Sequence, residues 1–280
     1  MPVYSGLSKN IPCILCKGLF FRPALECEGF SFVRCTSCSL VQRNPQPDKE
    51  EIISRYCSLY GSDYLSYELK NEDNFLKLQQ LALKDAGFAK LEKKLLLKKT
   101  PSILDIGCAT GALLASLRNR GWQVTGVEIS PSAEYARCER ALDVRSSVLE
   151  ENSFPAETFD VVHASHLIEH LNDPFAFLME VSRVLKKNGF IFITTPNIDG
   201  FQSRLFGSSW RSAIFDHLYL FSVSTLSKLL KKTGFKIESC RTWGGLAAGT
   251  VPVWQKKIAD NLVKHFGSGD VMIIRAVKHS

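Results

Sequence analysis

No apolar run in this sequence approaches the roughly 20 residues that a membrane-spanning helix needs, which excludes an integral membrane protein of the helical kind. The N-terminal stretch Met-Pro-Val-Tyr-Ser lacks the apolar core of a secretory signal peptide. Internal repeats and low-complexity tracts are also absent, so a repeat architecture is not expected. We therefore expect a cytoplasmic protein without a membrane span.

The composition is that of an ordinary globular protein, with 45% hydrophobic and 22% charged residues. The 280-residue chain is long enough for one α/β domain of about 200 residues and a smaller appendage. The formal net charge is +7, and part of it comes from the lysine-rich residues 84–99. This segment is typical of the solvated face of a helix, although it could also attract an anionic substrate or a membrane surface. Charge alone does not select a partner.

A third glycine is missing from the region where a dinucleotide-binding fold would carry G-x-G-x-x-G. Residues 103–106 read as a short buried strand, and only Gly107 and Gly111 follow it into a helix, with Cys108 between them. Asp105 is expected in the mouth of this turn, where a carboxylate would repel a pyrophosphate but suits an α-ammonium group. An NAD-linked oxidoreductase is therefore disfavoured.

A second apolar strand, residues 124–127, ends in Glu128, and Ile129 follows. An acid at the end of the second strand of an α/β sheet can accept hydrogen bonds from a ribose diol. The turn and this acid together predict a site for a nucleoside-containing cofactor. The alternative is an ordinary α/β turn with a coincidental acid.

The pattern D-x-G-C-x-x-G, with an acid ending the next strand, resembles the first two motifs of class I S-adenosylmethionine-dependent methyltransferases. The resemblance covers roughly residues 100–280 and implies an α/β, Rossmann-like, seven-stranded sheet with helices on both faces. It implies S-adenosylmethionine as the cofactor, and the matching cofactor-binding positions are Asp105, Gly107, Cys108, Gly111, Glu128 and Ile129. The remaining strands are expected near residues 144, 159–164, 190–194, 235–239 and 271–277, with a helix near 253–266.

Two further cofactor positions follow from the same resemblance. The acid that usually meets the adenine amine falls on Val148 and Leu149 here, so that contact is missing unless Glu150 replaces it. Leu149 is retained as a cofactor-binding position on this alignment. Ser165, at the end of the fourth strand, aligns with the position that contacts the methionine portion.

Four of the nine cysteines are spaced like metal ligands. Cys13 and Cys16 form one C-x-x-C knuckle, and Cys35 and Cys38 form a second after 18 intervening residues. Two such knuckles can complete a tetrahedral Zn²⁺ site, which we expect to be structural. The alternative is a set of reduced thiols on a flexible arm. Cys27 lies outside the spacing.

The two knuckles, an Asn-Pro-x-Pro segment and a tyrosine-rich stretch together resemble bacterial methyltransferases with an N-terminal zinc ribbon. That group includes enzymes that act on nucleotide-linked sugars and cell-surface glycans. An aromatic residue of this linker folds over the cofactor in related enzymes, and Tyr64 is the candidate here, with plain helix packing as the alternative. The expected organisation is a ribbon over residues 1–47, a helical linker over 48–99 and the main domain over 100–280.

The candidate chemistry lies in the H-x-x-E-H run of His166, Glu169 and His170, which we expect to share one helical face, and in His217 of an insertion near residues 198–222. The run resembles E-x-x-E-H of ubiquinone-pathway O-methyltransferases and small-RNA 2′-O-methyltransferases, where these positions hold a divalent metal. The resemblance implies His166, Glu169, His170 and His217 as ligands, and histidine in place of an acid favours a softer metal such as Zn²⁺. Packing or helix capping by the histidines is the alternative, and His217 could act as a general base without metal.

The insertion is expected to form an aromatic lid from Phe201, Phe206, Trp210, Arg211, Phe215 and Tyr219. His217 and His166 are the candidate catalytic residues for methyl transfer to a hydroxyl, whose proton must leave. The leading interpretation is O-methylation of a small glycan- or quinone-like molecule. C-methylation of a nucleotide sugar, RNA methylation and a non-catalytic zinc-ribbon binding module remain open. The sequence predicts neither the acceptor nor the oligomeric state.

Overall fold

The computed structural model describes residues 9–57, 59–244 and 267–279, together with residues 252 and 254. Among these residues, no helix is both long enough and apolar enough to cross a bilayer. The helix expected near residues 253–266 falls outside the described ranges.

A seven-stranded sheet forms the centre of the molecule. Its strands are β4 (Ser102–Ile106), β5 (Gln123–Val127), β6 (Val144–Arg145), β7 (Phe159–Ser165), β8 (Leu185–Pro196), β10 (Phe235–Trp243) and β11 (Val271–Lys278). Their order in the sheet is β10-β11-β8-β7-β4-β5-β6. The five strands from β8 to β6 run parallel, and β11 is antiparallel to both of its neighbours. The carboxyl ends of the parallel strands therefore meet along one edge, which is where ligands bind in open α/β sheets.

Both faces of this sheet are buried because consecutive residues of its strands are apolar and their side chains point to opposite faces. Leu104 and Val162 belong to a cluster on one face, whereas Ile103 and Val161 belong to a cluster on the other. The covering helices are α4 (Ala112–Arg118), α5 (Ser132–Arg140), α6 (Pro174–Val184) and α8 (Val223–Lys232), with the short α7 (Phe201–Phe206) beyond β8. This arrangement confirms the predicted α/β sheet with helices on both faces.

The N-terminal region forms a second, smaller antiparallel sheet in the order β1-β2-β3-β9. Its first strands are β1 (Phe21–Cys27), β2 (Phe30–Cys35) and β3 (Val41–Arg43), and β9 (Tyr219–Leu220) comes from the insertion after β8. The ribbon predicted over residues 1–47 therefore does not complete its own sheet, because the main domain supplies the fourth strand.

The aromatic residues of the insertion lie in different surroundings. Trp210 and Tyr219 are buried, and the Trp210 indole donates a hydrogen bond to the buried carboxylate of Asp270. The Tyr219 hydroxyl donates to the carbonyl oxygen of Asn172 at 3.0 Å. Phe201 and Phe206 remain exposed. The aromatic residues of the insertion thus divide between a core and a surface.

The helical linker consists of α1 (Lys49–Cys57), α2 (Leu59–Asp85) and α3 (Phe88–Leu96). The helical linker predicted over residues 48–99 is interrupted at Gly87, where φ is +83°. A Cβ at Gly87 would also lie 2.8 Å from Nη1 of Arg275, so the chain turns there at the one residue without a side chain. The fifth strand likewise begins earlier than expected, at Leu185, with a register shift against β7.

Two carboxylates of α2 tie this long helix to the main domain. Glu72 accepts hydrogen bonds from Thr110 and from Arg140, at 2.6 Å each. One turn earlier, the buried Glu68 accepts a hydrogen bond of 2.6 Å from the hydroxyl of Ser132 at the start of α5. The pKa of Glu68 is raised from 4.5 to about 7, chiefly by burial; the Ser132 hydrogen bond lowers it, and the carboxylates of Glu128 and Glu72 raise it.

We expect the variant Glu68→Gln to be more stable than the wild type at pH 8, by up to about 3 kcal/mol, and to gain little at pH 5. The folded protein holds a proton on Glu68 more tightly than the unfolded chain, so wild-type stability falls as the pH rises through the window from 4.5 to about 7. Urea unfolding of both proteins at pH 5 and pH 8 measures the difference. Glu139→Gln, at an exposed position on α5, is the control. A gain that is the same at both pH values would contradict this prediction.

Candidate functional site

A tight turn follows β4 at the carboxyl edge of the main sheet. Gly107, Ala109 and Gly111 all have positive φ, and the N–H of Gly107 donates to the carbonyl oxygen of Val127 at 2.8 Å. A Cβ on Gly111 would lie 2.5 Å from Cδ1 of Leu142, so a larger residue cannot be accommodated without displacing this side chain. The turn leaves backbone exposed to a ligand at the start of α4.

Glu128 lies against this turn from the neighbouring strand end. Its Oε2 accepts a hydrogen bond of 3.0 Å from the N–H of Ala109, and its Oε1 accepts one of 2.9 Å from the N–H of Ser130. The carbonyl oxygen of the next residue, Ile129, lies 3.3 Å from Sγ of Cys57 at the end of α1. The half-buried Glu128 carboxylate is therefore held in place with lone pairs left over for a diol.

Asp105 does not stand open in the mouth of the turn. Its side chain is buried within the sheet, and Oδ1 lies 2.7 Å from Nδ1 of the equally buried His163 on β7. This pair occupies the carboxylate oxygen that the sequence interpretation assigned to an α-ammonium group. A contact between Asp105 and a cofactor stays a prediction.

The other predicted cofactor positions do not all lie at the turn. Cys108 is buried beneath the turn, where a Cβ on Gly126 would come within 2.7 Å of its Sγ. Leu149 points into the hydrophobic core, and Ser165 is half-buried at the end of β7. Tyr64 is 43% exposed on α2, with its ring centroid 6.4 Å from that of Tyr67. The structure brings together Gly107, Cys108, Gly111, Glu128 and Ile129 and directs the Leu149 side chain away from them.

Three of the four residues in the predicted second metal site converge. Glu169, His170 and His217 each offer a ligand atom within 4.8 Å of the others, and the two imidazole centroids are 4.6 Å apart. A 3₁₀ turn, Ile168–His170, carries the first two residues, and the loop before β9 carries His217. We refer to Glu169, His170 and His217 as the histidine cluster.

Hydrogen bonds select the tautomers of both histidines. The Nδ1 of His217 lies 2.8 Å from the carbonyl oxygen of Ser212, and the Nδ1 of His170 lies 3.0 Å from that of Asp216. Because a carbonyl oxygen can only accept, each Nδ1 carries the proton and each Nε2 keeps a lone pair. Burial lowers the pKa of His217 to about 4, and the neighbouring His170 lowers it further than Glu169 raises it. His217 is therefore neutral near pH 7, the form that binds metals.

Glu169 is a fully buried carboxylate with an unequal set of partners. Its Oε2 accepts a hydrogen bond of 2.9 Å from the Thr195 hydroxyl, whereas Oε1 has no partner of hydrogen-bond geometry among the described residues. Burial raises the pKa of Glu169, but the adjacent His166 and the charges of His170 and His217 outweigh it and hold the pKa at about 2. A buried anion with an unsatisfied oxygen next to two imidazole nitrogens fits a divalent cation.

His166 does not share a helical face with the other members of the H-x-x-E-H run. It has a φ of +53° directly after β7, and its side chain is 51% exposed. Its Nδ1 lies 3.3 Å from Oε1 of Glu169, so it stands at the rim of the histidine cluster. The expected i, i+4 helical spacing fails because the chain turns sharply at His166 before the 3₁₀ turn begins.

Tyr56 is a site residue that the sequence interpretation did not select. Its hydroxyl lies 3.0 Å from Nδ1 of His170, and the pKa of Tyr56 is raised by burial and by the charges of Asp216, Glu169 and Glu128, among others. The next residue, Cys57, reaches Ile129 on the cofactor side. Neighbouring residues at the end of α1 thus touch the histidine cluster and the end of β5. Tyr56 belongs to the tyrosine-rich stretch, but nothing in that pattern distinguishes it from Tyr64.

The four ribbon cysteines also converge, with their sulfur atoms within 4.8 Å of one another. The Sγ atoms of Cys13 and Cys38 are 3.4 Å apart, and those of Cys16 and Cys35 are 3.5 Å apart. Four thiolates at 2.3 Å from one tetrahedral ion would be about 3.8 Å apart. The cluster is compatible with Zn²⁺ after a shift of a few tenths of an ångström.

The two knuckles have the same backbone path. The N–H of Cys13 donates to the carbonyl oxygen of Gly18 at 2.9 Å, and the N–H of Cys35 donates to that of Leu40 at the same distance. The residue after each second cysteine, Lys17 or Ser39, has positive φ. This repeated geometry turns both thiol pairs toward one point.

Comparison with known proteins identifies the domain that carries the turn and the histidine cluster. Residues 75–240 match the family described as "Methyltransferase domain". The ubiquinone biosynthesis O-methyltransferase of Bradyrhizobium diazoefficiens is 38% identical over 101 residues, which cover 34% of this chain and 40% of that protein. The match thus spans less than half the length of this curated relative.

Solved structures with similar folds cover most of the chain at low sequence identity. A methyltransferase described as S-adenosylmethionine-dependent, from Archaeoglobus fulgidus, has a TM-score of 0.55 and 21% identity, covering 77% of this chain and 99% of that one. A chain from the complex of the Haloferax volcanii Trm112 methyltransferase activator with a methyltransferase has a TM-score of 0.57 and 16% identity, covering 78% and 96%. These likenesses show the fold alone. Because the family matches more than half of the chain, this protein belongs to the methyltransferase-domain family, with the class I S-adenosylmethionine-dependent methyltransferase fold.

Proposed function

We propose that this protein transfers a methyl group from S-adenosylmethionine to a hydroxyl of a small glycan- or quinone-like acceptor. The observation that carries this proposal is the position of Tyr56 and Cys57, which touch His170 and Ile129. Glu128, the candidate for ribose binding, lies at the strand end that Cys57 contacts. The histidine cluster, which Tyr56 contacts, is therefore close to it across the end of α1. Methyl transfer needs donor and acceptor held together in line, and two adjacent sites at one sheet edge satisfy that need.

The residues that would hold the cofactor are the backbone of the Gly107–Gly111 turn and the Glu128 carboxylate. Bound S-adenosylmethionine would supply a methyl group on a sulfonium. The acceptor oxygen bonds to the methyl carbon as the carbon–sulfur bond breaks, and S-adenosylhomocysteine leaves. Glu128 would accept hydrogen bonds from the ribose hydroxyls, because its two oxygens are already oriented by the N–H groups of Ala109 and Ser130. This preorganisation keeps the carboxylate from having to reorganise when the ligand arrives.

The histidine cluster would hold a divalent cation beside the acceptor. Two imidazole ligands and one carboxylate suit Zn²⁺ and similar transition metals better than Mg²⁺, which prefers oxygen ligands. Such an ion polarises a bound hydroxyl and lowers its pKa. His166 stands half-exposed beside Glu169 and would then take the departing proton. Without a metal, the lone pair on Nε2 of His217 would serve as the general base.

The sequence similarity supports O-methylation over the alternatives. The curated relatives named as O-methyltransferases of ubiquinone biosynthesis match about a third of this chain. The acceptor of this protein is inferred only as far as a hydroxyl of a small molecule. The ribbon cysteines would hold a structural Zn²⁺ about which the N-terminal hairpin folds, because that hairpin has little core of its own.

For the cofactor site, Glu128→Gln should bind S-adenosylhomocysteine about tenfold or more weakly than the wild type in calorimetric titration. The substitution keeps the side-chain size but removes the charge and one acceptor, and a hydrogen bond to a charged group is worth about 1.5–3 kcal/mol. Glu134→Gln, at an exposed position on α5, is the matched control and should bind as the wild type does. Equal affinity in wild type and Glu128→Gln, or binding of NAD in place of S-adenosylhomocysteine, would overturn the cofactor assignment.

For the histidine cluster, elemental analysis of protein dialysed against Zn²⁺ or Mn²⁺ should find one more ion per chain in the wild type than in Glu169→Gln. The substitution removes the only carboxylate of the cluster, so its affinity for a divalent cation should fall steeply. His279→Gln, after the last strand, should keep the wild-type metal content. If wild type and Glu169→Gln hold the same amount of metal, the cation is ruled out, and methyl transfer should then survive chelation and be lost in His217→Asn.

For the ribbon, Cys35→Ser should contain one zinc ion fewer per chain than the wild type and should melt at a lower temperature. Loss of one thiolate opens the tetrahedral site, and the ribbon's small core cannot replace the metal. Cys27→Ser is the matched control, because Cys27 lies outside the cluster of four thiols and makes only long contacts to carbonyl oxygens of Ser208 and Ala213. Unchanged zinc content in Cys35→Ser would show that these thiols do not bind metal.

A further inference from the structure

The loop that carries His217 is held by the N-terminal ribbon as well as by the main domain. We propose that Arg43, on the third ribbon strand, is a positioning residue that fixes residues 212–218 and thereby sets the place of His217 in the histidine cluster. This inference rests on the proposed function, because it assigns the ribbon a task in building that site. Three sets of contacts carry it.

The first set is a backbone clamp on Leu218. The N–H of Arg43 donates to the Leu218 carbonyl oxygen at 2.8 Å, and the Leu218 N–H donates to the Glu169 carbonyl oxygen at 2.8 Å. The side-chain amide of Gln46 donates to the same Leu218 carbonyl at 3.3 Å. The residue next to His217 is thus bonded to the ribbon on one side and to the histidine cluster on the other.

The second set is the contact between the Arg43 side chain and Phe215. Arg43 is only 5% exposed, and its Nη1 donates a hydrogen bond of 2.8 Å to the carbonyl oxygen of Phe215. Its guanidinium carbon lies 3.7 Å from the centroid of the Phe215 ring, which is close for a cation–π contact. The guanidinium of Arg55 on α1 lies 4.3 Å from the same centroid and pairs with Asp216. Two cationic side chains from the N-terminal region therefore hold consecutive residues of the loop.

The third set is a shared hydrophobic core. Phe32 and Val41 of the ribbon pack in one buried cluster with Ile198, Trp210, Ala213 and Leu220 of the main domain. Strand β3 begins three residues after Cys38, and buried Leu40, whose carbonyl closes the second knuckle, immediately precedes it. The second knuckle is therefore followed directly by β3, and β3 packs against the insertion that carries His217.

These contacts tie the Arg43 side chain to the loop. Its Nη1 donates to the Phe215 carbonyl oxygen, and its guanidinium carbon also lies 5.6 Å from the centroid of the Phe30 ring on β2. Removal of the guanidinium should loosen residues 212–218 while the four ribbon thiols stay together. Partners that orient the ligands of a metal site are worth about 10–100-fold in metal affinity or activity. A change in that range is expected when Arg43 no longer orders the loop.

The test compares Arg43→Met with Arg34→Met in the full-length, zinc-loaded protein. Methionine keeps much of the apolar stem at position 43 but removes the donor and the charge. Arg34, on β2, reaches only the carbonyl oxygen of Ser39 within the ribbon among the contacts that the structure describes, so Arg34→Met is the matched control. Arg43→Lys, which keeps a cation, should restore part of what Arg43→Met loses.

The first readout is amide hydrogen exchange of peptides that cover residues 212–220, measured without added metal at the histidine cluster. Arg43→Met should exchange at least about tenfold faster there than the wild type, with unchanged protection of the ribbon and unchanged S-adenosylhomocysteine affinity. Arg34→Met should match the wild type. Wild-type protection of residues 212–220 in Arg43→Met would overturn the proposal.

The second readout separates the proposal from the proposed function. In Arg43→Met, kcat for methyl transfer should fall about tenfold or more while KM for S-adenosylmethionine stays the same, and Arg43→Lys should recover part of kcat. Faster exchange together with an unchanged kcat would show that Arg43 orders the loop but that His217 takes no part in the reaction. That result contradicts the role proposed for His217 and the catalytic half of this inference, and leaves methyl transfer itself and the structural half standing.

Discussion

The backbone of Leu218 is the constraint on which the arrangement of this site depends. Its N–H donates to the carbonyl oxygen of Glu169 and its carbonyl oxygen accepts from the N–H of Arg43, so one residue joins the turn after β7 to the ribbon. The same junction adds β9 to the ribbon's sheet through the pairs Val41–Leu220 and Gln42–Tyr219. Because a buried polar backbone group needs a partner, neither the ribbon nor the insertion can move away without leaving unsatisfied groups behind. The ribbon is therefore part of the candidate site's scaffold.

Buried charge is distributed unequally between the two halves of the site. On the cofactor side, Glu128 is half-buried and its oxygens accept from backbone N–H groups. On the other side, Glu169 is fully buried, and the adjacent His166 is the largest of the histidine interactions that hold its pKa at about 2. An anion that imidazoles must compensate is poised for a metal or a proton relay, whereas one that backbone dipoles compensate is poised for neutral hydroxyl groups. The difference in partners therefore matches the different tasks proposed for the two carboxylates.

Helices α1 and α2 connect these halves. Tyr56 of α1 lies against His170, Cys57 of α1 lies against Ile129, and Glu72 of α2 reaches Thr110 in the cofactor turn. The linker that separates ribbon from main domain in sequence therefore contacts both halves of the site, through α1 at the histidine cluster and through α2 at the turn.

The sequence by itself determined the elements whose signal is local. Apolar periodicity located the strands of the main sheet, the glycine spacing with Glu128 indicated the family and its fold, and the two C-x-x-C pairs indicated a cluster that the structure brings within 4.8 Å. Tertiary structure alone decided that Asp105 pairs with His163, that His166 stands at the rim of the cluster beside Glu169, and that the insertion packs against the ribbon. The physical reason is range: a strand, a turn or a knuckle is set by neighbours along the chain. The partners of Tyr56 and Arg43 lie more than a hundred residues away, and His170 and His217 are also distant along the chain, so these groups meet only when the sheets are packed.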